Sequence, residues 1–154
     1  MSNYKEALTA RVKILKTDPA VALPVYQSAG ASGMDLRAFI KSDILLPPMG
    51  REKIPTGVKM EIPAGYEAQV RPRSGLALKT GVTVLNSPGT IDSDYRGEIE
   101  VILINLSEKN VIIKDGERIA QLVIAPVCHA EIIEGETLAP SERGSGGFGS
   151  TGVN

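Results

Sequence analysis

The chain has 154 residues, with 17 Lys and Arg against 18 Asp and Glu. That length suggests a single domain, able to bury roughly 70% of the surface its unfolded chain exposes without help from a disulfide or a structural metal. The near-zero net charge argues against general nucleic-acid or membrane-surface binding, which wants a basic excess. One cysteine, Cys128, permits no internal disulfide, and beside one histidine, His129, it is too little for a closed zinc site. Cys128 reads as a small buried hydrophobe in a strand, and His129 as a surface or strand residue. The first residues, with Lys5, Glu6, Arg11 and Lys13, hold no apolar region of a secretory signal. No apolar run approaches the ~20 residues of a membrane helix. A cytoplasmic location is expected.

Along the chain, alternation dominates over helical periodicity. Val12 and Ile14 share one face of a first strand within 11–16. Ala29-Gly30-Ala31-Ser32-Gly33-Met34-Asp35 is a small-residue loop leading into a strand, and Asp35 there reads first as a turn-stabilising carboxylate. In 66–71, Tyr66, Ala68 and Val70 face one way and Glu67, Gln69 and Arg71 the other. The next residues, 71–76, contain Arg73, Ser74 and Gly75. They read equally as an ordinary strand-to-helix turn or as a phosphate grip of guanidinium, hydroxyl and open backbone. The only helix expected is a short one at 74–79. From Glu98 to Ile104, alternation passes into a run apolar on both faces, as in a strand moving from an edge into an interior. Further strands are expected at 118–125, which holds Gln121 among apolar neighbours, and at 130–133. Turn signals at 47–50, 63–65, 87–89 and 115–116 punctuate these runs. Many short strands with Gly and Pro turns make an all-β sandwich, jelly roll or barrel.

The densest chemistry lies at 92–97: Asp92, Asp94, Tyr95 and Arg96 before Gly97. Polar and aromatic groups packed into one loop point to a site held by a rigid scaffold. The last residues, 141–154, contain five glycines and one aromatic residue, Phe148. Composition alone makes this a mobile linker. Its glycine spacing approaches a phosphate loop but lacks the lysine, and it follows no strand. Glycine N–H groups can still wrap an anion, and Arg143 can add charge.

Taken in order, Gly33-Met34-Asp35-Leu36, Arg73-Ser74-Gly75, 86–97, 116–121 and 143–152 resemble the five motifs of the trimeric dUTP pyrophosphatase (dUTPase) family. Met34 stands where the family often has an aromatic residue. The resemblance implies a jelly-roll β-barrel over 1–140 and a flexible arm over 141–154 that closes a site shared between the subunits of a homotrimer. It implies hydrolysis of dUTP to dUMP and pyrophosphate by water attack on the α-phosphorus, assisted by Mg2+. That reaction limits uracil incorporation into DNA and supplies dUMP for dTMP synthesis. Asp92 matches the catalytic base, and Tyr95 the ring that packs on deoxyribose and excludes a 2′-hydroxyl. Asn86, Gly89, Thr90 and Ile91 match the uracil-binding hairpin. Arg73, Ser74, Gly75 and Gln121 match phosphate contacts. Asp35 matches a carboxylate that supports the hydrated metal through water. Arg143, Gly146, Gly147, Gly149 and Ser150 match the γ-phosphate clamp, and Phe148 the ring stacked over uracil. Asp94 is left as a structural charge, pairing with a nearby arginine. The related dCTP deaminases usually carry a second serine after the Arg-Ser pair and a tryptophan in the acidic segment. This chain has Gly75 and no tryptophan. A non-catalytic β-module that binds a nucleotide or a protein through the tail is the remaining alternative.

Overall fold

A computed structural model describes residues 9–147. It contains ten strands and one short helix, all between residues 13 and 126. Two four-stranded antiparallel sheets form the jelly roll. One has β1 (Lys13–Lys16), β4 (Arg51–Glu61), β8 (Glu98–Asn105) and β6 (Val82–Val84) in the order β1-β4-β8-β6. The other has β2 (Met34–Arg37), β10 (Arg118–Pro126), β5 (Tyr66–Arg71) and β7 (Gly89–Ile91) in the order β2-β10-β5-β7. A small ladder pairs β3 (Ile44–Leu46) with β9 (Val111–Ile113). The helix α1 (Ser74–Thr80) fills the link from β5 to β6 and buries Leu76.

Alternation places most of the core. Ala68 and Val70 of β5, Ile99, Val101 and Leu103 of β8, and Ala120 and Leu122 of β10 are almost wholly buried, with Ile119 joining them at the register shift between Arg118 and Ala120. Each sheet thus contributes alternate residues to one apolar layer of aliphatic side chains. Aromatic residues have little part in it, as the composition requires.

Two strand expectations fail after β10. Residues 130–133 form no strand, and Cys128 is exposed rather than buried. A strand needs a partner ladder for its backbone groups. Among the described residues beyond Pro126, the backbone bond from the Val127 N–H to the Gly65 carbonyl at 2.9 Å is followed only by local turn bonds within 141–146.

One buried polar side chain ties the ends of several elements together. Asn105 is fully buried at the end of β8. Its amide donates to the carbonyls of Leu46 at 2.9 Å and Lys109 at 2.7 Å. Its oxygen accepts from the Ser107 N–H at 2.9 Å and hydroxyl at 2.8 Å. All four capacities of the amide are used. Asn105→Ala strands these partners in a dry site, so it is expected to cost about 2–4 kcal/mol. Urea unfolding checks this, and a shift under ~1 kcal/mol would place Asn105 among ordinary surface positions.

Candidate active site

Most of the residues singled out from the sequence fall into two groups, one along the β7 edge of β5 and one where β10 and β2 meet the end of β5. The first surrounds a cleft of about 250 Å³ lined by Asn86, Gly89, Thr90, Ile91, Asp92 and Tyr95. The segment expected as a hairpin crosses between sheets instead. Val82–Val84 pairs with β8, whereas Gly89–Ile91 pairs with β5. As a result β7 is an edge strand, with one side of its backbone outside any ladder of the described residues. Gly89 is buried against Val70, and a Cβ there would come within 3.2 Å of the Asn86 amide nitrogen.

Asp92 directly follows β7 and is exposed. The turn it opens closes with the Tyr95 N–H donating to the Asp92 carbonyl at 3.2 Å. The Tyr95 hydroxyl donates to the Glu98 carbonyl at 3.0 Å, leaving the ring 43% exposed. Arg96 is spent on the backbone, donating to the carbonyls of Ser93 at 2.7 Å and Tyr95 at 2.9 Å. The arginine partner expected for Asp94 is therefore not formed. Asp94 instead lines an open groove with Glu67, Asp92 and the exposed His129.

Three residues of the cleft went unnoticed in the sequence: Lys53, Glu98 and Glu100. The Lys53 ammonium bonds Glu100 at 2.7 Å, and that carboxylate holds its pKa above the ordinary lysine value. Cross-strand register brings them together: Lys53 on β4 pairs with Ile102, two residues from Glu100, so the two side chains are diagonal neighbours on one face. No local motif signals it.

The second group assembles where β2, β10 and the end of β5 meet. Gln121 pairs in register with Asp35 on one side and Arg71 on the other. Asp35, with its side chain 11% exposed, bonds Arg73 Nε at 2.9 Å and Arg118 Nη1 at 3.2 Å. Arg73 also donates to the Arg118 carbonyl at 3.0 Å. The Gln121 amide donates to the Pro72 carbonyl at 2.9 Å. Gly33 is needed there for space, since a Cβ would stand 2.6 Å from the Gln121 side-chain oxygen. Ser74 and Gly75 are exposed at the start of α1.

The described tail residues join neither group. Arg143 donates to the Gly146 carbonyl at 2.7 Å, closing a turn on itself. Gly146 and Gly147 are half-buried; Phe148, Gly149 and Ser150 lie outside the described residues. Among the described residues, no three His, Cys, Asp or Glu side chains are grouped to hold a metal directly, and no helix is long and apolar enough to cross a membrane.

Comparison with known proteins bears on both groups. Residues 20–152 match the dUTPase family. A deoxyuridine 5'-triphosphate nucleotidohydrolase of Hydrogenobaculum sp. is 60% identical over 143 residues, covering 92% of this chain and 96% of that protein. The Chlamydia pneumoniae protein of the same name is 60% identical over 138 residues, covering 89% and 95%. The Staphylococcus bacteriophage 80alpha dUTPase, solved with dUPNHPP, superposes with a TM-score of 0.81 at 27% identity, covering 94% of this chain and 100% of that one. A phage phi11 dUTPase from S. aureus, described with a structural Mg(II) ion, shares the fold at 22% identity with a TM-score of 0.73, covering 82% and 97%. With the motifs in place on a jelly roll and the match running from residue 20 to 152, this chain belongs to the dUTPase family.

Proposed function

We propose that this chain hydrolyses dUTP to dUMP and pyrophosphate, with Asp92 as the base that activates water. One observation carries the assignment of the site. Gly89, Thr90 and Ile91 form an edge strand and line the same cleft as Asp92 and Tyr95. Backbone groups outside a ladder are fixed donors and acceptors in search of partners. They suit the O4 and N3–H of uracil, whereas the cytosine edge reverses that order. Mispaired buried polar groups reject an analogue strongly. Tyr95, held against the Glu98 carbonyl, would pack on the deoxyribose and leave no room for a 2′-hydroxyl. Asp92, next to both, would orient and deprotonate water, a role typically worth ~10²–10⁴-fold.

The phosphates would be met by Arg73, Ser74, Gly75 and Gln121, and by Arg143, Gly146 and Gly147 of the tail, with Gly149 and Ser150 beyond the described residues. Phe148, also beyond them, is the ring proposed to cover uracil. Bound magnesium would neutralise charge across the phosphate oxygens. The donor set fits an ion held mainly by substrate and water, because magnesium keeps several waters and needs few protein ligands. Asp35 is committed to two arginines, but a carboxylate has about four acceptor positions, enough to receive a metal-bound water as well.

The register supports a site shared between copies of the chain. Ile91 pairs with Ala68, so Asp92 lies beside Glu67, while Arg73 and Ser74 follow Arg71. Glu67 to Arg71 alone spans about 13 Å at ~3.3 Å per residue. That separation favours a site in which Asp92 of one copy works with Ser74 of another. Ile132, Ile133 and Leu138 are 88%, 79% and 95% exposed on a segment without regular structure. Burying each is worth ~1.5–3 kcal/mol, which favours assembly. A homotrimer satisfies both demands, with each tail crossing to a neighbouring site.

A pyrophosphate-release assay with dUTP, dTTP, dCTP and UTP, with and without magnesium, tests the reaction. Turnover of dUTP alone, dependent on the metal, is expected; ammonia release from dCTP would sink the reading. In the same assay Asp92→Asn should lose ~10²–10⁴-fold or more in turnover while calorimetry still detects dUTP binding. Full activity in that variant would remove Asp92 from the mechanism. Sharing of the site has its own check. Asp92→Asn and Ser74→Ala chains, each impaired alone, should regain roughly a quarter of wild-type activity when co-refolded one to one, because some sites draw both intact residues from different copies. No recovery would mean that each site is built by one chain. Deleting 141–154 is expected to leave thermal unfolding unchanged and hydrolysis nearly absent; an unfolded product would make the tail a structural element.

A further inference from the structure

Gly97 stands between the tyrosine of the cleft and β8. Its backbone is not left-handed, unlike Gly57, Gly65, Gly81, Gly116 and Gly144. Conformation therefore does not require glycine at this position. Space does: a Cβ on residue 97 would lie 2.2 Å from the Tyr95 hydroxyl oxygen, 2.4 Å from Cζ and 2.9 Å from Cε2. The hydroxyl end of the ring lies across the bare α-carbon.

The other side of this seat is equally fixed. The carbonyl that accepts the Tyr95 hydroxyl belongs to Glu98. The Glu98 side chain accepts the Gly57 N–H at 2.7 Å. Gly57 sits in the irregularity of β4 between Pro55 and Lys59, where Thr56 donates to the Ile99 carbonyl at 2.6 Å. The bulge of β4 thus anchors residue 98, which anchors the tyrosine hydroxyl. The turn from Asp92 to Tyr95 fixes the base of the ring.

We propose that Gly97 is a positioning residue for sugar selectivity: its missing side chain, together with the Glu98 carbonyl, sets the Tyr95 ring at the depth that discriminates between deoxyribose and ribose. This rests on the reading of Tyr95 as the sugar-facing ring. A methyl group at residue 97 meets the mobile end of an aromatic side chain, not backbone, so the ring swings and the strand stays. The hydroxyl loses the Glu98 carbonyl, and the space closed to a 2′-hydroxyl opens.

The readout is the ratio of kcat/KM for dUTP over UTP in the full-length protein, by pyrophosphate release. Gly97→Ala should lower this ratio by about tenfold or more, since small misplacements of a positioning group carry large kinetic costs. The thermal midpoint should stay close to that of the unmodified chain. Tyr95→Phe, which removes only the hydroxyl bond, should lower the ratio by a smaller factor; an unchanged ratio there would overturn the carbonyl clamp, and this variant decides the matter if Gly97→Ala does not fold. In a Tyr95→Ala background, adding Gly97→Ala should change the ratio no further, because coupled residues are non-additive. An equal further loss in that background would overturn the proposal by making Gly97 act independently of the ring. If Tyr95→Ala lowers the ratio and folded Gly97→Ala does not, this inference alone fails. If Tyr95→Ala leaves the ratio intact, the sugar role of Tyr95 fails and the inference falls with it.

Discussion

The register of β5 is the constraint on which the rest of the site depends. This six-residue strand pairs with β7 along one edge and β10 along the other. Its end at Tyr66 and Glu67 meets Asp92, and its end at Arg71 meets Gln121 and delivers Arg73 and Ser74. Ala68 and Val70 are buried between these edges. A slip of one residue would turn them to the opposite face and exchange core for charge. The apolar layer that stabilises the domain therefore also fixes which chemistry appears at which end. The placement of the candidate site residues along β5 is thus tied to core packing.

At the Arg71 end, electrostatics is settled locally. One carboxylate, Asp35, engages two guanidinium groups in a largely dry place. Buried charges need partners and hydrogen bonds, and a pair lacking either is costly. Here Arg73 adds a bond to the Arg118 carbonyl, which holds the guanidinium planes in place. Two positive charges against one leave a cationic excess in a protein whose total charge is −1. Attraction for a polyanion can thus be confined to one corner without a global basic field. The absence of a basic surplus, which argued against nucleic acid, is compatible with tight phosphate recognition.

What the sequence made legible follows the range of each interaction. The alternation in 66–71 marks β5 at its observed bounds, and the run after Glu98 marks β8, because both are written in consecutive residues. The single helix at 74–79 is nearly the observed Ser74–Thr80. Asn86, residues 89–92 and Tyr95, close together in sequence, also line one cleft. Long-range pairing was not legible. Lys53 and Glu100 meet across 47 residues of sequence, and Asn105 reaches Leu46 across 59. Neither separation leaves a local pattern. Residues 130–133 have the composition of a strand, but composition supplies no partner edge, and they join none of the described sheets. Asp94 failed for a related reason: the adjacent arginine found backbone carbonyls closer to hand than a carboxylate.

The edge position of β7 links recognition to assembly. Unladdered backbone is ordinarily a liability, since it invites pairing with foreign strands. Keeping the strand to three residues limits that risk, and facing it into a cleft gives its groups a specific use. Under the proposed shared site, the cleft supplies the base and sugar half of a nucleotide site and another copy supplies the phosphate half. A ligand that needs both halves binds only the assembled state. By mass action it then stabilises assembly by RT ln(1 + [L]/Kd), or about 2.7 kcal/mol at a hundredfold excess over Kd. Separate halves bind weakly, because neither orients both ends of the substrate. A site divided along β5 in this way would make hydrolysis a property of the oligomer, and would make the nucleotide itself a contributor to holding that oligomer together.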